Sequence, residues 1–365
     1  RLRCRTTRDA GPVTEYSGIV SNVQKFEFGL DTFGDVCVDA SGALKPQAQV
    51  LREVVDEAVL AEQCGIDCFG VGEHHRADFA ISAPEVILAA IAARTSRMWL
   101  GSAVTVLSTD DPVRGFQRFS TLNAVSNGRA EVILGRGSFT ESYPLFGYDL
   151  KQYEVLFEEK LELFADLLSG GPVTWSGSTR ASLTDQVVYP PIEKGALRTW
   201  VGVGGSAESV IRAARYGLPL TLAIIGGPPT RFKPFVDLYR QALDRFGREP
   251  QPIAVHSPGH VAETDAQARE ELWPHYEAMM NRIGRERGWP PAARANFENE
   301  AAGGALCVGS PETVAAKITN TVQALGLSRF DVKYSSGTLG HDKMMRSIEL
   351  LGREVAPRVR KAVEV

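Results

Sequence analysis

From residue 26 onward the chain alternates short apolar runs with stretches in which apolar residues recur every three or four positions. The runs Phe26–Leu30, Asp67–Gly72, Met98–Val106, Ala130–Gly135, Thr199–Val203, Pro219–Ile225, Ile253–Val261 and Arg329–Ser335 read as strands. Several are near-continuous in apolar residues, as strands covered on both faces are. Helical patterns lie between them. Val50, Leu51, Val54, Val55, Ala58 and Ala61 share one helical face, and Gly65 supplies a stop. Further helices are expected over Pro84–Arg94, Pro112–Val125, Val155–Leu168, Ala207–Tyr216, Phe232–Phe246, Pro311–Leu325 and His341–Val355. Such alternation argues for a parallel sheet. Eight units argue for closure, so the expected fold class is α/β, a (β/α)8 TIM barrel, with an open doubly wound sheet as the competing architecture.

Two stretches break the rhythm. Residues 169–197 hold Gly170-Gly171, Pro190-Pro191 and short alternating segments, and read as a hairpin-bearing insertion before strand five. Residues 262–309, after strand seven, are helical and charged, then small and flexible around Ala301 to Gly304. An insertion there lies at the C-terminal ends of the strands, where barrels place their active sites. Residues 1–25 read as an irregular extension, and residues 26–365 as one barrel domain. The extension carries Arg1, Arg3, Arg5 and Arg8 with no apolar core behind them, unlike a secretory leader. The lack of an initial Met reads as a processed or trimmed end.

Composition narrows the function classes. Apolar residues make up 44% and charged residues 23%, as in ordinary globular proteins. A net charge of −4 gives no basic excess for nucleic acid. No stretch approaches the ~20 apolar residues of a membrane helix. Cys4, Cys37, Cys64, Cys68 and Cys307 are odd in number and form no Cys-x-x-Cys, which favours reduced thiols and a cytoplasmic compartment.

Three groups of residues carry candidate chemistry. Glu73-His74-His75 ends strand two. Adjacent residues of an extended segment point in opposite directions, so one histidine can face the mouth and the other the wall. Polar bridging of strand end and loop, proton transfer, and metal binding all stay open, although no further Cys/His cluster supports a metal. Trp200 to Ser209 is a strand–turn–helix containing Gly202-x-Gly204-x-x-Ala207. No acidic residue follows to hold a ribose, because that region reads Leu220-Thr221-Leu222-Ala223. Gly204, Gly205 and Ser206 suit either an anion on a helix N-terminus or a plain capped turn. Gly135-Arg136-Gly137-Ser138 ends strand four, where Arg136 can fork onto a phosphate or form a surface ion pair.

Taken in order, these groups resemble the luciferase-like monooxygenase family from Phe26 to about Pro357. Leu100 to Val104 leading to Asp111-Pro112-Val113-Arg114, Ser126-Asn127-Gly128-Arg129, and Tyr216-Gly217-Leu218-Pro219 add to the likeness. Gly137 to Gly147 is more similar to the monooxygenase branch than to the deazaflavin-dependent one. The resemblance implies an FMN-dependent monooxygenase using reduced flavin from a separate flavin reductase, molecular oxygen and a small organic substrate. It also implies assembly of two or four copies. His74 matches a histidine of proton transfer, and Arg136, Gly204, Gly205, Ser206 and Ser209 match the phosphate side. Ser138 matches a backbone contact, and Ala103 and Val104 match a pair that supports the ring, with a non-proline cis peptide expected between them. The chain departs from light-emitting members at Gly135, where they carry a reactive cysteine, and at Gly205, where they carry an acid, so light emission does not follow. A deazaflavin-dependent reductase or dehydrogenase, and a flavin-binding protein without catalysis, are the competing functions. Phe79, Tyr143 and Phe146 are candidates for an apolar pocket.

Overall fold

Glu27–Thr32 (β1), Cys68–Val71 (β2), Trp99–Ser102 (β3), Ala130–Gly135 (β4), Arg198–Val203 (β5), Leu220–Ala223 (β6), Ile253–Val261 (β7) and Arg329–Lys333 (β8) lie parallel in a computed structural model that describes residues 25–364. Each strand pairs with the next, and β8 returns to pair with β1, so the sheet closes into the expected barrel. Apart from Lys25, the extension expected over residues 1–25 lies outside the described residues. Eight helices alternate with the strands: α1 (Gln47–Gln63), α2 (Pro84–Ala92), α3 (Pro112–Val125), α4 (Tyr153–Leu167), α5 (Ala207–Arg215), α6 (Lys233–Arg245), α7 (Pro311–Leu325) and α8 (His341–Leu350). Phe28, Leu30, Phe69, Val71, Val132, Val201, Leu222 and Val332 are buried in the core with these helices. Each such side chain stabilises the fold by about 1.5–3 kcal/mol.

The inward positions of the strands are filled differently. In the lower barrel Arg329 Nε donates to both oxygens of Asp331 at 2.8 and 2.9 Å, and Nη1 donates to Glu131 Oε1 at 2.6 Å. Arg198 reaches Glu27 at 2.8 and 3.0 Å and stacks on Trp99 at 4.3 Å. Glycine makes room for these groups. A Cβ on Gly29 would stand 1.8 Å from Asp331 Oδ1, and one on Gly101 would stand 2.5 Å from Glu131 Cγ. Burial lifts the Asp331 carboxyl to about 6, against the pull of Arg329. Above this layer Ile133, Trp200 and Ala254 pack with Ala103 and Val104 into an apolar plug.

Both insertions lie where the sequence places them. Val173–Trp175 and Leu183–Gln186 form an antiparallel hairpin before β5. After β7 come helices Asp265–Arg287 and Arg294–Gly303, then a short strand, Cys307–Gly309, on the end of β7. The stretch expected to be flexible at Ala301–Gly304 instead ends the second helix. Lys317 Nζ fixes it by donating to the carbonyls of Glu300, Ala301 and Leu306 at 2.9, 2.8 and 2.6 Å. The single strand expected over Met98–Val106 is broken. β3 stops at Ser102, pairing with β4 resumes at Thr105–Val106, and the Ala103–Val104 peptide between them is cis.

Arg329→Met would leave Glu131 and Asp331 buried without their shared cation. We expect a loss of about 3–5 kcal/mol in urea unfolding followed by circular dichroism. A variant as stable as the parent would contradict this pairing.

Candidate active site

Past the end of β2, Gly72 lets the chain pass close to its neighbours: a Cβ there would stand 2.3 Å from Phe33 and 2.7 Å from the Ala103 carbonyl oxygen. The three polar residues that follow then separate. The Glu73 backbone N–H donates to the Val104 carbonyl at 3.2 Å, and its Oε2 accepts the Val106 N–H at 2.8 Å. His75 Nε2 lies 2.8 Å from Glu73 Oε1, so this histidine braces the wall. His74 lies among aromatic rings instead: Phe33 at 4.5 Å, Phe79 at 4.6 Å and Phe139 at 5.2 Å. Burial there pulls its imidazole down to about 3, with Asp35 opposing and Lys333, His75 and Arg76 adding to the fall. At neutral pH the ring is an uncharged base.

A roof covers this ring. Phe139 carries the Arg76 guanidinium at 4.4 Å and the Arg287 guanidinium at 5.4 Å. Arg76 pairs with Asp78 at 3.1 Å, with Glu286 at 2.7 Å and with Glu141. Arg287 Nη2 donates to the Ser138 carbonyl at 3.0 Å. The segments after β2 and β4 are thereby tied to the helix Asp265–Arg287. Below, His256 Nδ1 lies 2.7 Å from Asp31 Oδ2, and its ring lies nearly parallel to Phe33 at 6.0 Å. Lys333 Nζ donates to Asp35 at 2.9 and 3.0 Å. Val104 occupies the centre, where a Cβ on Gly135 or Gly202 would approach it to 2.7 or 3.0 Å.

A second cluster forms at the N-terminus of α5. Ser206 caps the helix by accepting the Ser209 N–H at 3.2 Å, and its hydroxyl donates to Ser209 Oγ at 2.9 Å. Arg136 Nη2 donates to the same Ser209 oxygen at 3.0 Å. Arg136 also pairs with Glu154 and lies over the Tyr153 ring at 4.7 Å. It therefore takes part in an ion pair and faces the helix N-terminus as well. Gly205 has a φ of +112°, which glycine adopts freely, and a Cβ on Gly204 would meet nothing within 4 Å. Arg212, 3.5 Å from Ser209 Oγ, adds a further cation, itself paired with Glu154 and Glu158.

Of the residues singled out by sequence, Arg136, Gly204, Gly205, Ser206 and Ser209 thus come together in one cluster. His74, Ala103 and Val104 gather around the mouth. Ser138 is exposed on the segment joining the two. Of the three pocket candidates only Phe79 borders His74; Tyr143 is buried beside Tyr153, and Phe146 packs on His75. Sequence reasoning missed Phe33, Phe139, Asp31, His256 and Glu154. The available signal was a polar residue at an inward strand position, which Asp31 and His256 both are. Among the described residues no group of three or more His, Cys, Asp or Glu could hold a metal ion, and no helix is long and apolar enough to cross a membrane.

Residues 32–329 match the family model of the luciferase-like monooxygenases. The chain belongs to this family. The alkanal monooxygenase alpha chain of Photorhabdus luminescens is 26% identical over 60% of this chain and 60% of its own length. The chain spans little more than half the length of the curated relatives it matches first. The 4-hydroxyprotoasukamycin monooxygenase of Streptomyces nodosus subsp. asukaensis is 26% identical over 81% of this chain and 84% of its own. Three solved structures share the fold. Monooxygenase RslO1 of Streptomyces bottropensis has a TM-score of 0.78 at 23% identity, covering 91% of this chain and 99% of that one. The oxygenating constituent of 3,6-diketocamphane monooxygenase from Pseudomonas putida, in complex with FMN, has a TM-score of 0.72 at 20% identity, covering 91% and 98%. An F420-dependent secondary alcohol dehydrogenase has a TM-score of 0.70 at 16% identity, covering 92% and 99%.

The pull of burial on His74 can be measured directly in this luciferase-like protein. We expect its ring nitrogens to show no titration between about pH 5 and 8 in two-bond 15N–1H NMR spectra. A midpoint near the ordinary value of about 6.5 would show a solvated ring.

Proposed function

We propose that this luciferase-like monooxygenase binds FMN across the barrel mouth, receives it already reduced from a separate flavin reductase, and uses molecular oxygen to oxidise a small organic substrate. The observation that carries the reading is the convergence of Arg136, Ser206 and Ser209 on the N-terminus of α5, at the same end of the barrel as His74. Those groups fit a phosphate. Two hydroxyls, free helix amides and a forked cation converge there, and Gly204 and Gly205 put no side chain in the way. Glu154 shares the Arg136 guanidinium, and Arg212 beside it keeps a second cation within reach of the same serine.

The backbone of Ala103, Val104 and Ser138 is assigned to the ring side of the cofactor. When bound, reduced flavin supplies the electrons and the atom at which oxygen reacts. The chain does the rest. Phe33, Phe79 and Phe139 keep water away from His74. His74 accepts a proton at a ring nitrogen, which a neutral imidazole can do and an imidazolium cannot. The Arg76 pairs hold Phe139 over it. The 3,6-diketocamphane enzyme constituent, with its bound FMN, supports the choice of flavin, and the F420-dependent dehydrogenase marks the alternative cofactor on the same fold. A neutral histidine beside the mouth favours catalysis over simple flavin storage. A cytoplasmic location and assembly of two or four copies belong to the same proposal.

Two variants test it. Arg136→Ala should weaken FMN binding by about 1.5–3 kcal/mol in fluorescence titrations, the range for a hydrogen bond to a charged group; an unchanged dissociation constant would remove the phosphate assignment. His74→Ala should keep FMN binding and lower the rate of flavin-dependent oxygen consumption by about 100- to 10,000-fold. Turnover equal to the parent's would make His74 purely structural.

A further inference from the structure

Phe33 separates two histidines. On one side is His74, in the aromatic box; on the other is His256, stacked on Phe33 at 6.0 Å and held by Asp31 at 2.7 Å. Nothing in the function proposed above uses His256, and the inference that follows rests on that function.

We infer that His256 is the proton donor of this site, an imidazolium anchored through Nδ1–H to Asp31 with Nε2–H left for a ligand in the mouth. Three observations carry it. The Asp31 contact engages Nδ1, which leaves Nε2 with no hydrogen-bond partner among the described residues. Nε2 is also not among the buried orphaned polar atoms, and 13% of the side chain is accessible, so this edge is open. Asp31 is 2% exposed, its Oδ2 meets the imidazole and its Oδ1 has no other partner, so the histidine is its one side-chain hydrogen-bond partner among the described residues.

The groups around the two rings push them apart. Burial opposes charge on His256, but Asp31 outweighs it, with Lys333 opposing and Asp331 assisting, so the proton is held more tightly than in a free histidine. Lys333 is itself matched by Asp35. On the far side of Phe33, burial keeps His74 uncharged. Two like groups whose surroundings drive them in opposite directions are the arrangement that acid–base chemistry at one pH requires. In the transfer, the Nε2–H bond breaks and its electron pair stays with the ring. A lone pair on a negatively charged atom of the bound ligand forms the new bond to hydrogen. The neutral imidazole keeps its Nδ1–H on Asp31, and solvent water returns the proton.

The test has two arms. In the ligand-free protein, site-resolved NMR titration should show His256 with a midpoint above that of free histidine, and Asp31→Asn should move the midpoint downward. A midpoint at or below that of free histidine overturns the inference without any reference to flavin. In the second arm, flavin-dependent oxygen consumption is followed against pH. The parent rate should fall as pH rises through the His256 midpoint. His256→Gln should lower the rate about 100-fold at neutral pH and abolish that alkaline fall, whereas His74→Ala should lower the rate and keep the fall. A purely structural role would lower the rate of His256→Gln at every pH with the alkaline fall intact, and that result would overturn the inference alone. A parent that consumes oxygen with reduced FMN at no different rate from free reduced FMN alone would overturn the proposed function and this inference together.

Discussion

Closing eight parallel strands into a ring creates an interior whose inward side chains must be packed or paired, and in this chain the lower part of it is paired. Arg329 bridges Asp331 and Glu131, all of them buried. Charges there cannot be moved singly, because removing one partner leaves another uncompensated in a low dielectric. That constraint explains the glycines: Gly29 and Gly101 stand where any side chain would collide with the ionic layer. It also fixes the floor of the mouth. The plug of Ile133, Trp200, Ala254, Ala103 and Val104 rests on this layer, and the candidate site rests on the plug.

The roof is held by pairs that reach from a buried cation toward solvent. Arg76 pairs with Glu141 and Glu286, whose side chains are 38% and 46% exposed. Arg76 itself is 7% exposed and also pairs with Asp78, so the cluster hangs on a buried cation. The mouth thus combines an ionic floor with a roof gathered on the Arg76 guanidinium and the Phe139 ring.

How much of this the sequence displays depends on whether the signal is local. The strands and helices show because their periodicity is local, and closure shows because eight units alternate. The α5 cluster shows because Gly204, Gly205 and Ser206 are consecutive and Arg136 sits between glycines. Periodicity reads Met98–Val106 as one strand, while the family resemblance places the cis peptide at Ala103–Val104, where the structure has it. The His256–Asp31 pair joins residues far apart in the chain, and neither sits in a motif. Phe139 and Arg76 likewise meet only because the β2 and β4 ends are brought to one rim. Glu154 opens α4 as an ordinary first-turn acid, and only the fold sets it against Arg136.

We propose a mouth built for a flavin mononucleotide whose phosphate rests on α5. The most direct measurement is an anaerobic calorimetric titration of the parent protein with reduced FMN, reduced riboflavin and the reduced deazaflavin cofactor side by side. We expect saturable binding of reduced FMN, binding of riboflavin weakened by loss of the phosphate, and weaker binding of the deazaflavin. Equal affinity for FMN and riboflavin, or tighter binding of the deazaflavin, would contradict that proposal.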